Sequence, residues 1–198
     1  MIAPRSPLDS ALGLIEFGIR VSPAYTLLDD GSCSCRNPCC RRPAKHPHVV
    51  GLPQHGTADP DTARAWWRQH PDTGVVAWTG RCSTLWVIDV DSDRGGLQSL
   101  AQLQRHEGNL PLTRTTRTGG GGLHFYWSGL LPLPSGRDLI APGVDVRGEG
   151  GYVIAPPSWH RSRNQYRWES EGPIVPAPDW LIRRVQVCGR VNDLGVVP

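Results

Sequence analysis

The chain has 198 residues, of which 38% are hydrophobic and 20% are charged, and its formal net charge is +3. This length and composition suit one compact domain with a hydrophobic core and argue against a disordered chain. The sequence shows neither the roughly 20 apolar residues that span a bilayer nor the apolar segment of a signal peptide. We therefore expect a cytoplasmic protein without a membrane partner.

The first third of the chain is predicted to hold two helices separated by a strand and an irregular loop. Serine and aspartate side chains accept hydrogen bonds from the free N–H groups at helix starts, which favours Ser10 and Asp59 as the two caps. The predicted elements are a helix from Ser10 to about Arg20, a strand or turn over residues 21–28, a loop over 31–48, and a helix from Asp59 to Gln69.

The rest of the chain is predicted to contain three strand pairs and two further helices. Runs of β-branched and aromatic residues between glycine-rich turns indicate the strands. The pairs are residues 74–78 with 85–90, 113–116 with 123–127, and 144–147 with 152–154; the helices cover about 96–106 and 179–187, and residues 188–198 are expected to fray. The predicted fold class is therefore α/β (α+β).

The strand over residues 85–91 ends in two aspartates, Asp89 and Asp91. Because side chains alternate between the faces of a strand, these carboxylates project together while Ile88 and Val90 face the core. Adjacent like charges repel unless a cation lies between them, and carboxylate oxygens suit Mg²⁺ or Mn²⁺. An isolated pair of this kind also occurs where a strand simply ends in a solvated turn.

A third carboxylate, Asp145, lies in the strand over residues 143–148, and Arg147 shares its face. Three acidic residues on polar strand faces fit a two-metal site for in-line attack on a phosphate, with the ions roughly 3.5 to 4 Å apart. Asp89, Asp91 and Asp145 are therefore candidate catalytic residues and candidate Mg²⁺ or Mn²⁺ ligands, and the Arg147 fork is available to a phosphate.

A glycine run that ends in Gly121 and Gly122 precedes a strand whose first polar side chain is His124. Glycines let a backbone approach a phosphate closely, and His124 is then expected to donate a hydrogen bond to a triphosphate oxygen. The alternative is a flexible hairpin followed by a core histidine. Ser158 and His160 are further candidate nucleotide-binding residues, although the Pro-Pro pair before them also fits a rigid turn.

Four of the six cysteines fall within eight residues of the loop over residues 31–48. Without an export signal, such clustering indicates metal binding rather than disulfides. Three thiolates and one imidazole would close a tetrahedral zinc site, and free thiols are the alternative. The predicted Zn²⁺ ligands are Cys33, Cys35, Cys40 and His46, and Cys39 is not needed as a ligand.

Two other groups of residues are assigned from the sequence. The isolated Cys82 and Cys188 are expected to be buried small hydrophobic residues. The basic residues around the cysteines are expected to form a rim that contacts a nucleic-acid backbone, and they are Arg36, Arg41, Arg42 and Lys45.

Taken in order, these motifs resemble the catalytic domain of the bifunctional DNA primase/polymerase (Prim-Pol) family, within the archaeo-eukaryotic primase superfamily. The resemblance covers about residues 10–185 of a single domain spanning 1–198. It rests on Lys45-His46-Pro47, Thr79-Gly80, Val87-Ile88-Asp89-Val90-Asp91, Gly121-Gly122-Leu123-His124, Gly143-Val144-Asp145-Val146-Arg147-Gly148, Gly150-Gly151-Tyr152 and Pro156-Pro157-Ser158. Ala44 and Arg163 stand where the family usually has glycine, which bears on template contacts more than on chemistry.

The resemblance implies an archaeo-eukaryotic primase fold, with an RNA-recognition-like catalytic sheet, an N-terminal α/β module and the zinc-binding loop. It implies that Asp89, Asp91 and Asp145 bind the catalytic metals and that His124 holds the phosphates of the incoming nucleotide. The activity it implies is that of a DNA primase and DNA polymerase, with a single-stranded DNA template, a primer and NTP or dNTP substrates. Many relatives continue into a helicase-like region, so this chain acts alone, recruits a separate helicase, or is a fragment.

Two other functions are compatible with the sequence. A metal-dependent nuclease or phosphodiesterase would use the same carboxylates and need no nucleoside triphosphate. A non-catalytic nucleic-acid-binding module would use the zinc loop and exposed tryptophans for contact and stacking.

Overall fold

The computed structural model describes residues 6–48 and 56–193, with side chains as far as residue 188. Within these ranges the chain forms a mixed α+β structure with two largely antiparallel sheets. The helices are α1 (Pro7–Ile15), α2 (Pro60–Gln69), α3 (Gly96–Glu107) and α4 (Asp179–Asp193). The strands are β1 (Val21–Ala24), β2 (Gly74–Trp78), β3 (Leu85–Val90), β4 (Thr115–Arg117), β5 (Leu123–Ser128), β6 (Gly136–Ala141), β7 (Val144–Arg147), β8 (Tyr152–Ala155), β9 (Arg167–Ser170) and β10 (Val175–Pro176). None of the helices in these ranges is long and apolar enough to cross a membrane.

Helix α1 begins at a Ser6 cap, so the predicted cap at Ser10 is wrong. The Ser6 hydroxyl accepts a hydrogen bond from the N–H of Asp9, and the Asp9 carboxylate accepts one from the N–H of Ser6. This reciprocal capping box, followed by a proline in the first turn, is a stronger start signal than a lone serine. Ser10 is instead buried inside the helix, where its hydroxyl donates to the carbonyl of Pro156 at 2.5 Å.

The other helices follow the sequence more closely. Asp59 caps α2 by accepting a hydrogen bond from the N–H of Thr62 at 2.9 Å, and α3 ends at Gly108, both as predicted. Helix α4 is longer than predicted and continues to Asp193. The fraying expected for residues 188–198 stays a prediction, and residues 194–198 lie outside the described part of the chain.

Three strands form the smaller sheet, in the order β1-β2-β8, and the larger sheet has the order β6-β7-β3-β5-β4-β9 with β10 parallel to β5. Strands β4 and β5 pair as predicted. The other two predicted pairs are wrong, because β2 and β3 belong to different sheets, and so do β7 and β8. The N–H of Thr79 donates to the carbonyl of Gly151 at 2.9 Å, so the two connections pass between the sheets side by side.

Strand β3 lies inside the larger sheet and is covered on both faces. Ile88 and Val90 belong to the core cluster that includes residues of α3 and α4, whereas Leu85 and Val87 pack with residues of α1 and the smaller sheet. Because side chains alternate, Asp89 continues the face of Leu85 and Val87. The first polar side chain on that face is thus held at the end of a rigid, buried strand.

Two further features differ from the sequence prediction. Strands β6, β9 and β10 were not predicted, and their short or polar segments carry little of the apolar alternation that indicates a strand. Cys82 is exposed, with its thiol donating to the carbonyl of Thr79 at 3.4 Å, so the prediction of a buried small hydrophobe is wrong there. Cys188 packs, partly buried, against the larger core cluster.

Candidate active site

The register of the larger sheet brings the predicted acidic residues and the histidine together. Asp89 in β3 is directly opposite Asp145 in β7 on one side and His124 in β5 on the other. Residues that face each other across neighbouring strands project to the same side of the sheet. Asp91 follows β3 and is tied to β7 through its N–H, which donates to the carbonyl of Gly143 at 2.8 Å.

Two arginines lie between the three carboxylates. The Arg147 Nη2 atom is 2.8 Å from an Asp89 oxygen and 2.9 Å from an Asp145 oxygen. The Arg94 Nη2 atom is 2.5 Å from Asp91 and 2.6 Å from the other oxygen of Asp145. The buried Asp145 carboxylate therefore shares one cationic nitrogen with each of the other two aspartates.

Sequence reasoning missed Arg94. It lies in the turn after β3, three residues beyond Asp91, and it also donates to Asp138 at 2.7 Å. A basic residue at this spacing from an acidic strand end was the available signal. The signal is weak because a side chain in a turn can point in many directions, and its reach to β7 depends on strand pairing.

The Asp89 carboxylate is held in its ionised form. Burial opposes ionisation, but His124 and Arg147 outweigh it and hold the pKa of Asp89 well below its usual range. The His124 Nε2 atom lies 3.3 Å from an Asp89 oxygen. The other ring nitrogen of His124 is buried and has no hydrogen-bond partner among the described residues.

These groups line a cleft of about 590 Å³ that also receives cations from other elements. Lys45 reaches it from the cysteine-rich loop, Arg42 from the same loop, and Arg137 from β6. Burial lowers the pKa of Lys45, while the negative charges of Asp89 and Asp91 act in the opposite direction. A polar cleft that combines ionised carboxylates with several cations suits a polyanionic ligand such as a metal-bound phosphate chain.

The predicted Cys/His cluster assembles beside this cleft. One ligand atom from each of Cys33, Cys35, Cys40 and His46 lies within 4.8 Å of all the others, whereas Cys39 is exposed and lies outside the cluster. The His46 Nε2 atom is 3.4 Å from the Cys33 sulfur and 3.5 Å from the Cys40 sulfur. Burial raises the pKa of the Cys33 thiol to about 11. The four side chains make a candidate metal site with three sulfur donors and one nitrogen donor.

The glycine run packs closely rather than lining the main cleft. A Cβ atom on Gly122 would lie 2.2 Å from the carbonyl oxygen of Val90, and Gly121 has a positive φ of 89°, so both positions favour glycine for backbone reasons. Gly121 lines a neighbouring cleft of about 420 Å³ together with Arg117 and Thr118, and Thr118 lines both clefts.

Ser158 and His160 support the surrounding backbone. The Ser158 hydroxyl accepts from the N–H of Val75 at 2.8 Å and donates to the carbonyl of Ala155 at 2.6 Å. His160 is buried against Gly119, where an added Cβ would lie 2.3 Å from the His160 Cβ. The structure therefore places His160 beneath the glycine run and Ser158 against β2, with neither residue lining the main cleft.

These features define a mixed α+β protein whose larger, mainly antiparallel sheet gathers three carboxylates, a histidine and arginines in one polar cleft beside a Cys/His cluster. Residues 11–180 match the family model described as bifunctional DNA primase/polymerase, N-terminal. The chain belongs to this family, because the match covers most of its 198 residues. A comparison with curated proteins gives no match.

Proposed function

We propose that the protein is a template-directed nucleotidyltransferase, a DNA primase and DNA polymerase that joins nucleoside triphosphates on a single-stranded template. The observation that carries the proposal is the cross-strand alignment of Asp89 with both Asp145 and His124. Family membership supports the same class of activity. The larger sheet would be the RNA-recognition-like catalytic sheet, and helices α1 and α2 with the smaller sheet would be the N-terminal module.

The three aspartates fit a divalent cation site by their chemistry. Asp145 already shares one cationic nitrogen with Asp89 and another with Asp91, so cationic partners lie at two places between carboxylates. Asp89, Asp91 and Asp145 would hold Mg²⁺ or Mn²⁺, whose hard oxygen preference they match. When bound, such ions would activate the attacking hydroxyl and stabilise the leaving pyrophosphate.

The protein's own residues would bind and orient the reactants. The 3′-hydroxyl of a primer, or of a first nucleotide during priming, would form the new bond to the α-phosphate as the bond to pyrophosphate breaks. The Arg147 guanidinium group would turn from the carboxylates towards the phosphates of the nucleotide and offset their negative charge. His124 would donate a hydrogen bond to an oxygen of the same triphosphate. Asp89 stays available as an anion because its pKa is held low.

The Cys/His cluster would hold a structural zinc ion. Its donor set of three sulfurs and one imidazole nitrogen is the set that Zn²⁺ takes in tetrahedral structural sites. Binding would require proton release from Cys33, whose thiol pKa is raised by burial, so zinc affinity should fall in acid. The ion would fix a loop that has little apolar packing of its own.

One assay separates this function from the two alternatives. The protein is incubated with Mn²⁺ or Mg²⁺, a labelled single-stranded template and nucleoside triphosphates, with and without a primer. We expect template-dependent synthesis that is lost in Asp89→Asn and kept in Asp93→Asn, an exposed acidic residue two positions beyond Asp91. Shortening of the labelled strand would instead identify a nuclease, and retention of DNA without any product would identify a binding module.

A further inference from the structure

Lys45 connects the Cys/His cluster to the main cleft. It is the residue immediately before His46, and its half-buried side chain lines the cleft that contains Asp89 and Asp91. The sequence suggested that Lys45 belongs to an outer basic rim with Arg41. In the structure the two diverge, because Arg41 is exposed and does not line the cleft, whereas Lys45 faces the carboxylates.

Lys45 differs in its partners from three of the four other cations of the cleft, and it differs from the fourth, Arg42, in being half-buried where Arg42 is exposed. Arg94 and Arg147 are each bonded to two aspartates, and Arg137 lies 3.6 Å from Asp138. Among the described residues, no carboxylate lies within ion-pair distance of Lys45. A half-buried ammonium group without a direct anionic partner has lost part of its hydration. A charge-assisted hydrogen bond to an incoming anion would offset that cost.

The backbone around Lys45 is fixed from both sides. The Tyr152 hydroxyl donates to the carbonyl of Lys45 at 3.2 Å, and the N–H of Tyr25 donates to the carbonyl of His46 at 3.1 Å. On the far side, the His46 ring lies against the sulfurs of the cluster. Cluster geometry and Lys45 position are therefore coupled through a single peptide unit.

We propose that Lys45 binds the phosphate tail of the incoming nucleoside triphosphate and that the metal-loaded Cys/His cluster positions it there. This inference rests on the proposed function and adds a binding residue to it. Phosphates held at the aspartates would lie in the same cleft as Lys45, which favours the triphosphate tail over the template backbone as its ligand. Lys45 would thus make nucleotide affinity depend on the state of the cysteine-rich loop.

The first test measures equilibrium binding to Lys45→Gln in the presence of Mn²⁺. The ligands are a non-hydrolysable dNTP analogue, inorganic tripolyphosphate, the matching nucleoside monophosphate and single-stranded DNA. We expect the affinities for the dNTP analogue and tripolyphosphate to fall by the same factor, about tenfold or more, with the other two unchanged. Lys45→Arg should retain most of the affinity, and Arg41→Ala, from the same loop, should retain all of it.

The second test measures the coupling to the cluster. Cys40→Ala should weaken tripolyphosphate binding in the parent protein but add little in the Lys45→Gln background, because the cluster acts through Lys45. Cys39→Ala, whose side chain lies outside the cluster, is the control. Thermal melts show whether Cys40→Ala folds. If it does not, zinc chelation takes the place of the substitution, and tripolyphosphate binding is compared before and after chelation in the parent protein and in Lys45→Gln.

Three results would overturn the inference. Unchanged tripolyphosphate affinity in Lys45→Gln would show that Lys45 does not contact the triphosphate. Loss of DNA affinity alone would show that Lys45 binds the single-stranded DNA instead. Equal effects of Cys40→Ala in the parent protein and in Lys45→Gln would show that the cluster does not act through Lys45. If the unsubstituted protein binds neither the dNTP analogue nor tripolyphosphate, the proposed function fails and the inference fails with it, which is a distinct outcome from the other three.

Discussion

Asp89 and Asp145 are direct cross-strand partners in β3 and β7, and one nitrogen of Arg147 donates to both carboxylates, at 2.8 and 2.9 Å. This relationship brings together two residues that are far apart in the chain. A rigid, doubly covered strand supplies the first carboxylate and its neighbour supplies the second. The site is thus preorganised by sheet register rather than by a flexible loop.

Arg94 acts as an internal cation between Asp91 and Asp145, and its removal should reveal this role. We expect Arg94→Gln to lower the melting temperature of the metal-free protein by roughly 3 to 10 °C, because two carboxylates lose their shared partner. Added Mn²⁺ should then raise the melting temperature more in the variant than in the parent protein. Arg137→Gln is the control, and equal Mn²⁺ increments in all three proteins would contradict the prediction.

His160 should make folding stability depend on pH. Burial, with the charges of Lys45 and Arg161, lowers the pKa of His160 from 6.5 to about 4 in the folded protein, and Asp93 acts in the opposite direction. As the pH falls, the unfolded state binds the proton first, so stability decreases between about pH 6.5 and about pH 4, by up to about 3 kcal/mol.

Urea unfolding across this pH range checks the His160 prediction. The free energy of unfolding should fall less steeply towards acid in His160→Gln than in the parent protein, whatever the stability of the variant at neutral pH. Parallel pH curves for the two proteins would show that His160 does not carry the effect.

Ser158 should support the fold rather than bind nucleotide directly. Its hydroxyl satisfies the buried N–H of Val75, so Ser158→Ala should reduce the free energy of unfolding by about 1 to 3 kcal/mol. Affinity for a dNTP analogue should stay within about twofold of the parent value, since the hydroxyl points to backbone groups. Chemical unfolding and equilibrium binding measure the two effects, and a stable variant with lost nucleotide affinity would contradict this account.

Period-two alternation identifies residues that share a strand face, and on this basis the sequence predicted four side chains that line the main cleft, whose catalytic roles stay predictions. Asp89, Asp91, His124 and Asp145 were found in this way. Their mutual arrangement required strand register, which depends on contacts between distant segments. The same limit explains the two wrong strand pairs, since a glycine turn indicates a reversal but not whether the chain stays in one sheet.

Residues that reach the cleft from loops were harder to predict. Arg94 projects from a turn, and Lys45 lies within the cysteine-rich loop, immediately before the cluster residue His46. Neither position has a periodicity that would indicate its direction. The composition of the loop, with four cysteines within eight residues, was sufficient to predict which four side chains meet, because thiols and an imidazole at such close spacing are typical of a shared metal ion.

The most direct test of the central claim is the rate of single-nucleotide incorporation into a primed template in the presence of Mn²⁺. The parent protein should add the nucleotide complementary to the template, Asp89→Asn should be slower by at least about 100-fold, and Asp93→Asn should remain within about twofold of the parent rate. Equal rates for Asp89→Asn and the parent protein, or no incorporation by the parent protein with a bound primer and nucleotide, would contradict the account.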